Sequence, residues 1–305
     1  MQILASNKGQ QNVRPFIKWA GGKSQLLTTY RALYPPELKK GEISTFIEPM
    51  VGGGAVLLDV LQNYDIENAI ICDINKVLIN TYLCVKHEID NLIKALESIQ
   101  SHYLSLDSQE RKTAYYKIRD RYNLINLNDD IDLKKAVEFI FLNKTCFNGL
   151  YRVNAKGEFN VPIGSYKNPK IYDETNLRNI SKLLQNTKIY QGDYKTCMNY
   201  INNSTFVYLD PPYRPLNSTS NFTAYNSQDF NELEQEKLAS FFQELDKLGA
   251  KAMLSNSDPK NTDEDDNFFD NLYEKYNIHR VQARRMINSK GSARGNITEI
   301  VVTNY

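Results

Sequence analysis

Short apolar runs that alternate with helix-like stretches restrict the fold of this 305-residue chain more than any other feature. Each run has the length of one buried strand, and several are rich in β-branched and aromatic residues. Between them, residues 55–61 and 233–248 carry apolar residues at helical spacing. The predicted strands are 45–47, 69–72, 188–190, 206–209, 251–254 and 300–302. Because alternating strands and helices form parallel sheets covered on both faces, we predict a doubly wound α/β fold.

The alternation stops in the middle of the chain. Residues 77–104 and 110–143 have apolar residues at three- and four-residue spacing, which predicts helices. The stretch 147–169 is rich in glycine and asparagine, which predicts loops or a hairpin. We therefore expect a core formed by residues 1–75 and 170–305, interrupted by a mostly helical insert at 76–169. Such an insert either recognises a large substrate or only caps the sheet.

Composition excludes several classes of protein. No apolar run is long enough to cross a membrane, and the N-terminus lacks the basic start and apolar stretch of a secretory signal. The cysteines form no CxxC pair and the three histidines are far apart, so we expect reduced thiols, a cytoplasmic location and no metal. The net charge of +1 indicates no generally basic surface. A local basic groove would still suffice to bind nucleic acid.

A glycine turn follows the first predicted strand, in the sequence FIEPMVGGGA at residues 46–55. Glycines let the backbone bend tightly and let a ligand approach it closely. Asp73 stands at the end of the next predicted strand, where an acid can accept hydrogen bonds from ribose hydroxyls. The pattern indicates an adenosine-containing cofactor and fits NAD, FAD and S-adenosylmethionine alike. The run Gly52-Gly53-Gly54 departs from G-x-G-x-x-G, which argues against a dinucleotide.

The tetrapeptide Asp210-Pro211-Pro212-Tyr213 follows the predicted strand 206–209, at the sheet edge where ligands of α/β proteins bind. The prolines stiffen the backbone and free its carbonyls from a hydrogen-bond ladder. The carboxylate of Asp210 and the carbonyl of Pro211 can both accept hydrogen bonds from one NH₂ group, at roughly 2.6–3.2 Å. The amino lone pair then turns toward a methyl donor, while Tyr213 stacks on the base. The tetrapeptide therefore predicts amino-group methylation without metal, on a base flipped out of its duplex; a turn with a buried aspartate is the structural alternative.

Four stretches give this chain a resemblance to the Dam- and Dpn-type DNA adenine-N6 methyltransferases, which form the alpha group and D12 class. They are 16–23 (FIKWAGGK), 46–55, 147–162 (from FNGLYRVN to GEFNVP) and 210–225 (DPPYRPLNSTSNFTAY). The order of glycine loop, insert and Asp-Pro-Pro-Tyr also resembles that group. The resemblance implies a Rossmann-like domain that uses S-adenosylmethionine, a target-recognition insert, and methylation of a flipped adenine in duplex DNA. Among enzymes similar in the third stretch, the recognised site is GATC.

The resemblance also assigns roles to individual residues. Catalysis would rest on Asp210, Pro211, Pro212 and Tyr213. The cofactor pocket would be lined by Trp19, Lys23, Glu48, Pro49, Gly52, Gly54, Asp73, Asp193 and Asp210. DNA would be contacted by Lys18, Phe147, Asn148, Leu150, Arg152, Asn154, Pro162, Asn221 and Tyr225. No metal ligand is implied.

Several of the implied DNA contacts have a clear chemical purpose. Lys18 would contact the first guanine, and Arg152 the guanine-bearing base pair beyond the flipped base. Both side chains suit guanine O6 and N7. Leu150 and Pro162 would touch a thymine methyl group, and residues 147–148 would fill space beside the flipped adenine.

Four departures from the family pattern concern DNA affinity and not the chemistry. Met50 and Ile163 stand where relatives often have aromatic residues, Phe147 replaces a tyrosine, and Ser165 replaces an arginine. The alternatives are an amino-methyltransferase of other specificity, such as one acting on cytosine N4, RNA or a protein glutamine, and a catalytically silent DNA-binding homologue. A nicotinamide oxidoreductase ranks behind these. We expect a monomer that acts on double-stranded DNA, with a cognate restriction endonuclease as a candidate partner.

Overall fold

Seven strands of the described residues form one sheet, in the order β3-β2-β1-β4-β5-β7-β6. The computed structural model of the protein describes residues 12–128, 131–214, 230–284 and 296–305. The strands are β1 (Thr45–Glu48), β2 (Asn68–Asp73), β3 (Thr187–Gln191), β4 (Thr205–Leu209), β5 (Lys251–Ser257), β6 (Asn277–Arg284) and β7 (Asn296–Thr303). The neighbours from β3 to β5 are parallel. β7 runs antiparallel to both β5 and β6.

All six predicted strands lie within observed strands, and the doubly wound α/β fold is confirmed. The expected parallel pairing is observed from β3 to β5, but not at the C-terminal side of the sheet, where β7 and β6 are antiparallel. β6 was not predicted. It is an edge strand with one neighbour, so its sequence NIHRVQAR mixes polar and apolar residues instead of forming an apolar run.

Ten α-helices lie in the described residues. They are α1 (Leu27–Leu33), α2 (Pro36–Lys39), α3 (Ala55–Asn63), α4 (Lys76–His87), α5 (Ile89–Ser105), α6 (Ser108–Leu124), α7 (Leu133–Thr145), α8 (Glu174–Leu183), α9 (Glu232–Lys247) and α10 (Phe268–Leu272). The two helical stretches predicted in the insert are four helices, α4 to α7. Asp107 begins α6 with a capping box, and the side chain of Asp132 caps α7. No helix of this part of the chain is both long and apolar enough to cross a membrane.

Alternate residues of the central strands feed two separate apolar cores. Phe46 and Tyr208 point to one face of the sheet, with the insert helices and α3. Ile47 and Val207 point to the other face, with α9 and α10. Because side chains alternate along a strand, a strand buried on both faces reads as one continuous apolar run.

The insert packs directly on the sheet domain. α4 contacts β2, β3 and α8 as well as α7. After α7, single antiparallel bridges join Cys146 to Ile163 and Val153 to Phe159, so the predicted loop region contains a short hairpin. The insert core is continuous with one of the two sheet cores. The division at residues 75 and 76 stays a prediction.

The strand order reverses at β1, and this places the candidate site. From β1 the chain builds β2 and β3 on one side, and later β4 and β5 on the other. Ligands of such sheets bind outside the carboxyl ends of the two strands at the reversal. Glu48 ends β1 and Asp210 directly follows β4. The antiparallel β7 brings its early residue Glu299 opposite Ser257, at the same edge.

Candidate active site

Asp210 is held by two side chains at the carboxyl end of β4. Lys23 Nζ donates to Oδ2 at 2.8 Å and Ser255 Oγ donates to Oδ1 at 3.1 Å. The Lys23 side chain is only 4% exposed, and its Nζ also donates to the carbonyl of Gly21 at 2.6 Å. The Asp210 side chain is 22% exposed, and each carboxylate oxygen has two lone pairs. Asp210 is therefore a fixed acceptor with further capacity to accept hydrogen bonds.

The other members of the tetrapeptide are fixed from neighbouring elements. Gln235 of α9, which is fully buried, donates from Nε2 to the Pro212 carbonyl at 3.1 Å. Tyr213 donates its hydroxyl hydrogen to Glu299 Oε2 at 2.6 Å. β4 ends at Leu209, so the carbonyl of Pro211 lies beyond the strand ladder. The arrangement is a rigid group of carboxylate, carbonyl and aromatic ring.

The glycine loop is tied to the acid that follows β2. Asp73 accepts hydrogen bonds from the backbone nitrogens of Gly52 at 3.1 Å and Asn75 at 2.9 Å. Gly52 and Gly54 have φ values of +47° and +67°, a region that favours glycine. A Cβ atom on Gly52 would lie 2.7 Å from the Trp19 ring. The loop therefore needs glycine for its turn and for the close approach of the indole.

Trp19 joins three parts of the protein. Its indole covers Gly52 and stacks on Tyr151 of the insert, with centroids 5.6 Å apart and planes 20° apart. The structure thus brings together three predicted cofactor residues, Trp19, Gly52 and Asp73. The insert adds Tyr151, which was not among the predicted residues.

Asp193 lies at the end of the neighbouring strand β3. Its Oδ1 accepts a hydrogen bond from the Lys195 nitrogen at 2.9 Å and caps a 3-10 turn. The side chain is exposed. Gln191 pairs with Asp73 across the two strands. Ile74, which follows Asp73, is an apolar side chain 68% exposed at this edge, and it is a candidate contact that the sequence reasoning missed.

Glu48 is a buried carboxyl group with an unpaired oxygen. It is 3% exposed, and Oε2 has no hydrogen-bond partner among the described residues. Burial raises the pKa of Glu48 well above its usual range, and the nearby charge of Asp210 adds to this. A backbone hydrogen bond from Leu57 and the charge of Lys23 oppose the shift. Burial also raises the pKa of Asp73, against the hydrogen bonds from Asn75 and Gly52.

We expect the substitution Glu48→Gln to stabilise the ligand-free protein, increasingly as the pH rises. A carboxyl whose pKa is raised on folding favours the folded state at low pH. That contribution is lost as the pH rises from the unfolded value of about 4.5 through the raised pKa. Glutamine has the same shape and does not ionise. Thermal unfolding at pH 5 and pH 9 measures the difference in stability between the variant and the wild type. Each kcal/mol should shift Tm by about 2–4 °C. The exposed Glu42→Gln is the control, and an equal gain in both variants would contradict this account.

Asn143 of α7 assembles the predicted DNA-facing residues. Its Oδ1 accepts from the Lys18 nitrogen, and its Nδ2 donates to the Lys18 carbonyl, both at 2.8 Å. Nδ2 also donates to the Gly149 carbonyl at 3.1 Å. Lys18 is exposed, and its Nζ donates to the Tyr166 hydroxyl at 3.1 Å. One buried amide therefore fixes both Lys18 and the turn that carries Phe147 to Leu150.

The turn after α7 presents apolar side chains to solvent. Phe147 is 49% exposed and its nitrogen donates to the Pro162 carbonyl at 2.9 Å. Asn148 has a φ of +55°, in the left-handed region. Leu150 is half-buried. The turn thus holds Phe147, Asn148 and Leu150 in sequence, with Pro162 hydrogen-bonded to Phe147 and the Lys18 side chain against Gly149.

Arg152 and Asn154 lie on the short hairpin. Arg152 is exposed and donates from Nε to Asn160 Oδ1 at 2.8 Å. Asn154 Oδ1 accepts from the nitrogens of Lys156 at 2.9 Å and Glu158 at 3.0 Å, so this side chain shapes the turn. A DNA contact by Asn154 stays a prediction. Asn221 and Tyr225, also predicted to contact DNA, lie outside the described residues.

The sequence reasoning missed the residues that support the site. Ser255 was detectable, because it begins a polar triplet that ends the apolar strand β5 at the carboxyl edge. Gln235 and Asn143 gave no signal, since a polar residue on an amphipathic helix is normally solvated. Glu299 precedes an apolar run, and only the antiparallel direction of β7 brings it to this edge.

Comparisons with known proteins agree with this geometry. Residues 19–287 match the family described as D12 class N6 adenine-specific DNA methyltransferase. The Type II methyltransferase M.MjaIII of Methanocaldococcus jannaschii is 54% identical over 96% of this chain and 99% of its own. The Type II methyltransferase M1.LlaDCHI of Lactococcus lactis is 38% identical over 100% of this chain and 99% of its own. The DNA adenine methylase of Escherichia coli K12 is 35% identical over 94% of both chains.

Proposed function

This chain belongs to the D12 class of N6 adenine-specific DNA methyltransferases, and we propose that it transfers the methyl group of S-adenosylmethionine to adenine N6 within GATC. The observation that carries the proposal is the fixed carboxylate of Asp210 at the end of β4, beside the Pro211 carbonyl. The tetrapeptide Asp-Pro-Pro-Tyr alone does not distinguish adenine from cytosine as the target base. Membership of the adenine-specific family favours adenine.

The residues at the carboxyl ends of the parallel strands are suited to bind S-adenosylmethionine. Gly52 lets the loop turn closely under the Trp19 indole, and Asp73 retains lone pairs for ribose hydroxyls. Ile74 offers an exposed apolar surface for one face of the adenine ring, and Asp193 offers an exposed acceptor for its amino group. When bound, S-adenosylmethionine would supply the methyl group from its sulfonium, and the rest of the molecule would leave as a neutral thioether.

Asp210 and Pro211 would orient the amino group of the target base. Each accepts one N–H, so the nitrogen lone pair is no longer directed into the ring and faces the methyl donor. Positive charge develops on N6 as the N–CH₃ bond forms and the S–CH₃ bond breaks, and the Asp210 carboxylate would stabilise it. The surplus proton of N6 would then be released to solvent. Lys23 and Ser255 hold that carboxylate in place beforehand, so little reorganisation is needed during the reaction.

The support for GATC lies in the DNA-facing residues of the insert and the N-terminal segment. Lys18 and Arg152 are exposed cations suited to guanine, and Leu150 and Pro162 are apolar groups suited to the thymine methyl. We propose that residues 76–169 form the target-recognition part. The enzyme would act on cytoplasmic double-stranded DNA.

Nuclease protection tests the proposed function directly. Plasmid DNA is incubated with the protein and labelled S-adenosylmethionine, then digested with a nuclease that adenine methylation blocks at GATC. Protection of the plasmid, with label on GATC duplexes and none on GTAC duplexes, is the expected result. Labelled adenines in other sequences would refute the site, and labelled cytosines would refute the assignment of the base. No label on any DNA would refute transferase activity.

We expect Arg152→Ala to relax discrimination at one base pair. Within the described part of the chain, Nη1 of Arg152 has no acceptor, while Nε and Nη2 are held by Asn160. The guanidinium is therefore oriented and still able to donate to guanine. Its loss should cost about 1–3 kcal/mol at that pair. The ratio of kcat/KM on GATC and single-substitution duplexes measures it, with exposed Lys156→Ala as the control. An equal loss on every duplex would make Arg152 a phosphate contact.

A further inference from the structure

The hydroxyl group of Tyr213 ends on a carboxylate from a distant part of the chain. Tyr213 OH donates to Glu299 Oε2 at 2.6 Å, across a sequence separation of 86 residues. Burial raises the pKa of Glu299, and the hydrogen bond from Tyr213 and the charge of Lys23 oppose that shift. This contact joins the tetrapeptide to β7, a strand that lies outside every sequence motif described above.

The direction of β7 explains why Glu299 reaches the site. In β7, Glu299 pairs with Ser257 of β5 and with Val281 of β6. β5 is parallel to β4, so Ser257 lies at the carboxyl end that Asp210 also occupies. An antiparallel strand brings its early residues to this end. Glu299 is thus held by backbone pairing on both sides, which makes it a rigid anchor.

The ring of Tyr213 is restrained at two points. Glu299 holds the hydroxyl, and Lys23 Nζ lies 4.8 Å from the ring centroid. Lys23 is itself fixed by Asp210 and Gly21. The restraint at the hydroxyl opposes rotation about the Cα–Cβ bond, which the cation over the ring alone does not prevent. The ring orientation is therefore set before any base arrives.

We propose that Glu299 is a positioning residue for the methyl transfer, which fixes the Tyr213 ring as a preformed surface for the flipped adenine. The inference rests on the proposed function, since it assumes that Tyr213 stacks on the target base. A ring already ordered by the fold loses less conformational freedom when the base stacks. Glu299 acts through Tyr213 and does not touch the reacting atoms.

The test compares Glu299→Ala, Glu299→Gln and Tyr213→Phe with the wild type on duplexes that contain the target adenine. Glu299→Ala should lower kcat by about tenfold or more, because it removes a hydrogen bond to a charged group. KM for the methyl donor should change less than threefold. Glutamine keeps an acceptor oxygen, so Glu299→Gln should recover most of kcat. The double variant Tyr213→Phe/Glu299→Ala should be no slower than the slower single variant, since both remove one bond.

A second readout follows the base itself. With 2-aminopurine in place of the target adenine, time-resolved fluorescence separates the flipped base that stacks on a ring from the flipped base that does not. The stacked, short-lived fraction should fall in Glu299→Ala and recover in Glu299→Gln. Exposed Glu274→Ala is the matched control. Thermal unfolding checks each variant, and if Glu299→Ala is unfolded, the comparison of Tyr213→Phe with Glu299→Gln decides.

The outcomes separate this inference from the proposed function. Wild-type methylation of GATC duplexes tests the function, whereas the ratio of variant to wild type tests Glu299 on whichever adenine is methylated. Additive losses in the double variant, or an unchanged stacked fraction in Glu299→Ala, would overturn the positioning role. With Glu299→Ala unfolded, a Tyr213→Phe variant as active as the wild type would overturn it as well.

Discussion

Asp210→Ala is expected to lose methyl transfer by roughly 10²–10⁴-fold while it still binds S-adenosylmethionine. The carboxylate is held by Lys23 and Ser255 at the point where the amino group of the base would lie. Alanine removes the acceptor and the negative charge that, in the proposed mechanism, would stabilise the developing cation on N6. Single-turnover rates with labelled methyl donor measure the loss, and calorimetric titration of the donor measures what binding remains.

Two further variants show whether the loss at Asp210 is chemical. Asp210→Asn keeps the shape and one acceptor oxygen, so it should be more active than the alanine variant and less active than the wild type. Asp263→Ala removes an exposed carboxylate and should retain full activity. Full activity of Asp210→Ala would refute the assigned mechanism. Loss of donor binding together with activity would instead make Asp210 a cofactor ligand first.

Lys23→Met is expected to lower the free energy of unfolding by about 3 kcal/mol and to impair catalysis as well. Lys23 is 4% exposed and forms the 2.8 Å ion pair with Asp210, so methionine leaves a carboxylate without its cation. Breaking a buried pair on one side costs about 3–5 kcal/mol. The lower end applies because Asp210 is 22% exposed and keeps Ser255. Urea unfolding measures the change in free energy.

The double variant Lys23→Met/Asp210→Asn separates stability from chemistry. It removes both charges, so it should recover most of the lost unfolding free energy and be no more active than Asp210→Asn alone. A double-mutant cycle then gives the coupling between the two residues. Additive losses of stability would show that the ion pair contributes little to the folded state. Recovery of activity in the double variant would contradict the role of the Asp210 carboxylate.

The central sheet was predictable because its strands are buried on both faces. Residues 206–209 are apolar without interruption, and such a run has few alternatives to a buried strand. β6 was not predictable in the same way. It is an edge strand with one neighbouring strand, and its sequence mixes polar and apolar residues. The break before α7 depends on the side-chain cap of Asp132, which the apolar periodicity does not report, and the break at Glu88 has no side-chain cap.

The place of Asp210 and Asp73 at the ends of strands could be predicted from the sequence, whereas the residues that support them could not. Asp210 and Asp73 follow apolar strands, and the parallel sheet brings strand ends together. The glycine loop is recognisable because its backbone requires residues without side chains. Ser255, Gln235 and Glu299 come from three other elements, and their contacts with the tetrapeptide depend on tertiary packing. A single sequence carries no record of such contacts.

The place of β1 in the sheet has a consequence for how the enzyme matures. Thr45 of β1 pairs with Thr205 of β4, and Lys23 meets Asp210 across 187 residues of chain. Loops of this length close slowly, and long-range pairing is delayed relative to local helices. A ribosome-bound chain can therefore form the insert helices early, while the candidate site waits for Asp210, Ser255 and Glu299, which all follow the insert. The growing polypeptide thus has no competent site before its C-terminal strands are in place.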